Sequence, residues 1–431
     1  MKKLLLLLTA ATFVIGCSSD DPESTTPELP TDPTEIVLLP CASGATFVLL
    51  TQDDVISFGA KGHCSINELI IGNPNQPSTI TSLAPLEKLL NVVTKVTIYN
   101  NPQLTNLEGL HNLINAGGTV TITNNAALTS VEGLRSLKTV KGNITVTNNA
   151  ALTTTAGLRS VEDSGAIDIE IGNNAELKTL GLSGLKTAGK ISIHDNAKLE
   201  SLGLENCTNL KDLEIKNNDA LVNLSGMQAC TTMGKLTIDG NDAFKSLEGL
   251  SAITSLDAVA ITANPLFISI EALQNIATIK EFSLSETTVF NSLAPLHDTN
   301  IRSIKLYANQ ALTSLNGLEG MTDAYYIYIG HNPELTSLTA LSNLKQVKAA
   351  SSAETGSALV ITENALLTSL DGLQNVIEYK AILHITLNPA LSDFCAIQYI
   401  IDHGEYTDFF TSLTGNLYTP DFTVPGGCSM D

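Results

Sequence analysis

Val120-Thr121-Ile122-Thr123-Asn124-Asn125-Ala126-Ala127-Leu128-Thr129-Ser130-Val131-Glu132-Gly133-Leu134-Arg135-Ser136-Leu137-Lys138-Thr139-Val140 returns almost word for word 24 residues later, as Ile144-Thr145-Val146-Thr147-Asn148-Asn149-Ala150-Ala151-Leu152. Self-similarity at a fixed period of about 20 to 50 residues is the signature of a solenoid and outranks any local reading. The second Asn of each pair serves as an anchor. It recurs at Asn101, Asn125, Asn149, Asn174, Asn196, Asn218, Asn241, Asn264, Asn309, Asn332, Asn364 and Asn388, and Thr287 fills the slot between Asn264 and Asn309. The steps are 24, 24, 25, 22, 22, 23, 23, 23, 22, 23, 32 and 24 residues, which makes 13 regular coils. An irregular coil precedes them near Leu69-Ile70-Ile71-Gly72-Asn73.

Apolar residues keep fixed offsets from the anchor. In the quoted coil they are Val120 and Ile122 before it, then Leu128, Val131, Leu134, Leu137 and Val140. A spacing of two before the anchor is a strand. A spacing of three after it suits tight turns and 3₁₀ pieces, not a long helix. Gly109, Gly133, Gly157, Gly226, Gly249, Gly317 and Gly372, eight residues after their anchors, mark a bend where a side chain or a negative φ is unwelcome. One coil cannot fold alone, because ordering its backbone costs more than its own apolar side chains return. Stacking coils share core and strand hydrogen bonds. The anchor amide then has a role, bonding a buried turn and its equivalents above and below. Thr287 has only a hydroxyl there, which predicts a local irregularity. The return path is too short for a helix in every coil, so a fairly straight, right-handed parallel β-helix is favoured over a curved horseshoe. Thirteen coils at ~4.8 Å give a rod of about 60 Å.

The pattern V/L-x-I-x-x-N-x-x-L-x-x-L-x-G-L-x-x-L-x-x-V, over roughly residues 65–395, resembles the leucine-rich coils of receptor L domains, the β-helical modules of insulin-receptor-like and EGF-receptor-like ectodomains. It is also similar to repeats of fungal wall proteins and of bacterial surface lipoproteins. The resemblance implies a leucine-rich solenoid. The coil count is about twice that of one L domain and no Cys-rich module separates blocks, so hormone binding is not carried over.

The chain opens with Met1-Lys2-Lys3 and an apolar run from Leu4 to Ile15, 12 residues long and too short to span a bilayer. Val14-Ile15-Gly16-Cys17 resembles a lipobox, with Gly directly before the Cys that signal peptidase II would expose for lipidation. Multiple acyl chains on Cys17 would hold the chain to a membrane. Ser18-Ser19-Asp20-Asp21 looks like the surface-export signal of some Gram-negative outer-membrane lipoproteins. The expected division is a signal peptide at 1–16, a lipid anchor and disordered tether at 17–35, an N-terminal cap at 36–68, the solenoid at 69–394 and a C-terminal cap at 395–431. The tether is rich in Ser, Thr, Pro, Asp and Glu and cannot bury a core.

The net charge of −21 becomes −23 once Lys2 and Lys3 are removed, which argues against nucleic acid and against docking on anionic lipid. No D-x-D-x-D-G loop appears, and no cofactor or metal is expected. Beyond Cys17 six cysteines remain, an even number in an exported chain. Bridges Cys41–Cys64 and Cys395–Cys428 are expected to close the two caps. Cys207 and Cys230 fall at nearly the same place in successive coils and are either bridged or a pair of buried thiols.

Function has to be sought on the strands. Positions four and two before the anchor point outward and form a ribbon. At its N-terminal end stand Thr121 and Thr123 over Thr145 and Thr147, the arrangement of flat ice-binding arrays, although Thr is also simply a good strand residue. Further on, Tyr307, Tyr326, Tyr328, His331 and His384 gather with Lys305 nearby, and Tyr is a frequent hot-spot residue. Ala349 to Ser357, inside the long 32-residue step, should bulge as a loop. No G-x-S-x-G, H-E-x-x-H or Walker motif is present, and the seven His are scattered. The reading is a non-enzymatic, lipid-anchored surface scaffold that binds or adheres to a protein, matrix or glycan partner. The alternatives are a structural spacer, a polysaccharide-acting β-helix enzyme and an ice-binding surface.

Overall fold

The computed structural model describes residues 42–162, 167–348, 356–406 and 412–430. The leader, Cys17, the tether, Cys41 and most of the 349–357 segment lie outside them. The described chain is a parallel β-solenoid. Fourteen strands, from Ser65–Ile71 through to Glu378–Thr386, stack in parallel, one per coil. The register is the one that the anchors define: Val120 pairs with Ile144, Ile122 with Val146, and Ile191 with Leu213. A second, short set of strands, Asn91–Val92, Asn115–Ala116 and Thr139–Val140, stacks the same way. Three-residue 3₁₀ helices such as Glu132–Leu134 and Ala156–Leu158 complete the circuit where the apolar spacing is three.

The inward columns form one continuous core. Leu104, Leu128 and Leu152 begin a column three residues after the anchor that continues as Phe244, Phe267 and Phe290, all fully buried. The phenyl rings stack coil on coil at 6.0 and 5.6 Å.

All twelve anchor asparagines are fully buried. Asn149 shows why. Its amide nitrogen donates to the carbonyls of Thr147 and of Ile122, one coil earlier. Its Oδ1 accepts the backbone N–H and the side-chain amide of Asn125 at 3.1 Å. Its own carbonyl accepts from Leu152 N–H and closes the turn. Every polar atom of a buried turn is thereby paired. The ladder runs beyond Asn388 to Asn416, whose Oδ1 accepts from the Asn388 backbone at 3.0 Å. At the other end Ser78 stands in for an asparagine and donates to Asn101 Oδ1. At Thr287 the strands on either side keep their register, so the irregularity is chemical and not geometric.

The residue before each anchor is left-handed, with φ between 53° and 65° from Asn100 and Asn124 to Leu387. That conformation explains the first Asn of each pair, since Asn tolerates it better than most side chains. The bend glycines divide. Gly109, Gly226, Gly249, Gly317 and Gly372 have positive φ, whereas Gly133 and Gly157 do not. What Gly133 and Gly157 share with most of the others is closeness: a Cβ on Gly133 would lie 2.1 Å from Leu107 O, and one on Gly157 1.9 Å from Val131 O.

Both ends are covered. Strand Ala42–Leu49 pairs in parallel with Ser65–Ile71, and helix Gln52–Lys61 follows it, opened by a Thr51–Asp54 capping box. Val55 and Phe58 turn inward, and Phe47, Phe58 and His63 form a ring cluster. Cys64 is buried and disulfide-bonded. At the far end Cys395 and Cys428 are joined, with Cα atoms 4.9 Å apart. No helix among the described residues is long and apolar enough to cross a membrane.

Candidate functional site

Strand pairing fixes where the outward columns run. Tyr328 pairs with Lys305 on one side and with Val360 on the other, and Val360 pairs with His384. Tyr307 pairs with Ser285 and Gly330. The ribbon is continuous, but it is less exposed than outward-pointing strand positions suggest. Most of its residues are half-buried, and Thr147, Gly172, Ser285, Gly330 and Thr362 are buried. Neighbouring coils stand close enough for most outward side chains to be partly covered by the next, Glu170, Lys216 and Lys305 staying exposed.

Half of the Thr array bonds to itself. Thr123 and Thr147 share a hydrogen bond of 2.9 Å, and Thr362 and Thr386 one of 3.1 Å. Thr121 and Thr145 stand side by side in the register. In the middle of the ribbon, charges pair across coils: Lys190 with Glu214 at 2.5 Å and Lys216 with Asp239 at 3.2 Å. The His194 ring lies over the bare backbone of Gly172, where a Cβ would be 2.1 Å from Cε1. His194 bonds Asp195 at 2.8 Å. The Asn217 amide, and then His194, hold the Asp195 carboxyl below its ordinary range.

The tyrosines do come together. The rings of Tyr307 and Tyr328 meet edge to face at 6.1 Å, and Tyr307 meets His331 at 5.0 Å and 80°. Lys305 Nζ lies 5.4 Å from the Tyr307 ring centroid. His331, at φ 53°, occupies the left-handed position before its anchor, which swings the imidazole toward Tyr307 and toward Glu363, 2.7 Å from Nε2. Gly330 lets the Tyr328 ring lie down: a Cβ there would be 2.7 Å from its Cε1. Burial pushes the Tyr328 phenol up, helped by Tyr307, Tyr326 and Glu363, and burial alone raises Tyr326. Tyr326 sits two residues back along the strand, paired with Ser303 and Ala358 and near enough to Tyr328 to act on its phenol. His384 is two coils from Tyr328 in the same column. Glu363 and Ser285 belong to the cluster and were not singled out from the sequence; the constant offsets from the anchor were the signal that could have found them.

Elsewhere, Lys138, Arg159 and Lys186 line an open depression of about 480 Å³, where Arg159 is paired with Glu132 at 2.7 Å. Among the described residues no group of three or more His, Cys, Asp or Glu could hold a metal ion. Cys207 and Cys230 are free thiols, fully buried and each set two residues before the paired Asn209 and Thr232. Of the 349–357 segment, Gly356 and Ser357 are described, and Ser357 is buried.

No family model matches the chain. No curated protein matches it either. Among solved structures the chain is similar to an internalin from Listeria monocytogenes, at 14% identity and a TM-score of 0.41, over 84% of this chain and 89% of that one.

Proposed function

We propose that this chain is a non-enzymatic binding scaffold, held to the outer membrane by lipid on Cys17 and presented at the cell surface, and that it engages a partner protein through the strand ribbon. The observation that carries the reading is the cluster of Lys305, Tyr307, Tyr328 and His331, brought together from successive coils on a rigid sheet. A stacked solenoid holds such groups at fixed spacing, so little entropy is lost on binding. Tyr is among the side chains that carry most energy in protein interfaces. The lipobox-like Val14-Ile15-Gly16-Cys17 and the following Asp20-Asp21 support the address.

Protease shaving of intact cells, followed by capture with wild-type protein and with Tyr307→Ala/Tyr328→Ala, tests the proposal. Release of the solenoid from living cells, together with loss of a captured partner in the double variant, is the expected result. Digestion only after lysis, or capture unchanged by the substitutions, would overturn it. The spacer reading is favoured by the Thr array and paired charges, which leave much of the ribbon internally satisfied. Under it the substitutions change nothing, while removal of whole coils does.

A further inference from the structure

The binding reading leaves the chemistry of the partner open, and the cluster narrows it. The charged groups along the ribbon other than Lys305 already have partners. Lys190, Lys216 and His331 each face a carboxylate, and Thr123 and Thr362 each bond another Thr. Lys305 differs. It is exposed, and among the described residues no carboxylate lies within 4.0 Å of its ammonium. Its contact is the ring of Tyr307.

Several hydroxyls around Lys305 have hydrogen bonds still to make. The hydroxyls of Tyr307 and Tyr328 make no hydrogen bond among the described residues. Glu363 is engaged by His331 at 2.7 Å, and the exposed Glu286, on the coil before, meets Tyr307 through its backbone N–H. Beside Tyr307 in the register stands Ser285, 2% exposed, whose Oγ has no hydrogen-bond partner among the described residues. An unpaired buried hydroxyl costs free energy that a ligand atom or a closing interface can recover. An ammonium and phenol hydroxyls on one rigid surface fit a carboxylate, which accepts several hydrogen bonds at once.

The same geometry disfavours a sugar. Stacking on a sugar needs an open ring face, and here the rings pack edge to face against each other with Lys305 over Tyr307. A polyanion is disfavoured by the chain's own net charge of −21. One carboxylate within an otherwise neutral or basic protein segment meets both constraints.

We infer that Lys305, Tyr307 and Tyr328 form a receiving site for a single carboxylate, an Asp or Glu side chain or a chain terminus, presented by a partner protein. The inference rests on the proposed binding function and adds the class of group recognised.

The test is an array of peptides in matched pairs, each with one Asp or Glu or its amide counterpart, probed with the wild-type protein, Lys305→Gln and Tyr307→Phe/Tyr328→Phe. The wild type should retain acid-bearing peptides at least about tenfold better than their amides. Lys305→Gln should abolish that preference, and the double Phe variant, which keeps the rings and loses the hydroxyls, should weaken it. Equal binding of acid and amide forms, no peptide binding at all, or a preference unchanged in Lys305→Gln would each overturn the inference. Retention of uronic-acid oligosaccharides in place of peptides would overturn the assigned partner class. Partner capture on cells that survives Lys305→Gln would sink this inference and leave the binding function standing. Loss of capture in neither Lys305→Gln nor Tyr307→Ala/Tyr328→Ala would sink both.

Discussion

The hydroxyl of Thr287 donates to Oδ1 of Asn309 at 2.7 Å, and so carries the asparagine ladder across the coil that lacks an asparagine. The substitute is incomplete. A Thr has no amide to reach the carbonyl two residues back, as Asn264 reaches Thr262, and no carbonyl to accept from the coil before. Thr287→Asn should therefore raise stability, by about 1 kcal/mol for the restored bonds. Asn149→Ala should lower it by about 3 kcal/mol, because it strands buried groups of Asn125 and Ile122. Urea midpoints of the two variants decide the matter; a destabilised Thr287→Asn would show that the slot is shaped for Thr.

The bend glycines separate two causes of strain. At Gly133 only the approach of Leu107 O forbids a side chain, whereas Gly109 combines φ 112° with a Leu83 O that would lie 1.8 Å from any Cβ added there. Gly133→Ala should cost about 2–3 kcal/mol through overpacking, and Gly109→Ala more. Gly44→Ala, with nothing within 4 Å, is the neutral control. Thermal midpoints in that order check the account.

Acid should loosen the N-terminal cap first. His63 lies 4.7 Å from Phe47 and 5.2 Å from Phe58, and its Nε2 is buried without a partner among the described residues. Burial, and then the charge of Lys61, hold its pKa below the ordinary 6.5. The unfolded chain therefore takes up the proton first. Stability is full above about pH 6.5 and falls as the pH drops toward the folded value. The protection of cap amides against hydrogen exchange, taken relative to their intrinsic rates, should fall between about pH 7 and pH 5 in the wild type and change less in His63→Phe.

The paired thiols should be inert. Cys207 and Cys230 each donate to a backbone carbonyl, of Asn209 and Thr232, at 3.6 Å. Burial, with Cys207 adding to it, pushes the Cys230 thiol up to about 11. Little thiolate then exists at about pH 8, and thiolate is the reactive form. Iodoacetamide should label neither residue in the native protein and both after unfolding, as read from peptide masses. Recovery of a Cys207–Cys230 peptide would contradict the free pair.

The stacked fold was legible because a period of 24 residues can be read without knowing any contact. The anchor column was legible for the same reason. Its partner columns were not. Asn124 and Asn148 looked like mere neighbours of the anchor, since a left-handed φ leaves no mark but a tolerance for Asn. The hydroxyls of Ser130, Ser246, Ser269 and Ser337, five residues after their anchors, accept the N–H two residues on. They read as ordinary loop residues because Ser is common in any turn. Asn416 was missed because Thr411 and Thr419 stand where the other coils carry apolar residues five before and three after the anchor. The ribbon's residues could be assigned to columns, but their burial depends on what the next coil lays over them. Tyr328 over Gly330 is a contact that periodicity does not encode.

The ladder also has a genetic consequence. Asn125 and Asn149 occupy the same environment, and the words around them are nearly the same. Deleting residues 125–148 would join Asn124 to Asn149 and return an unbroken ladder with the same turn. A misaligned recombination within this stretch thus yields a shorter protein with an intact interior, and its reciprocal product a longer one. Reach becomes heritable in whole-coil quanta of about 4.8 Å, adjusted without redesigning either end.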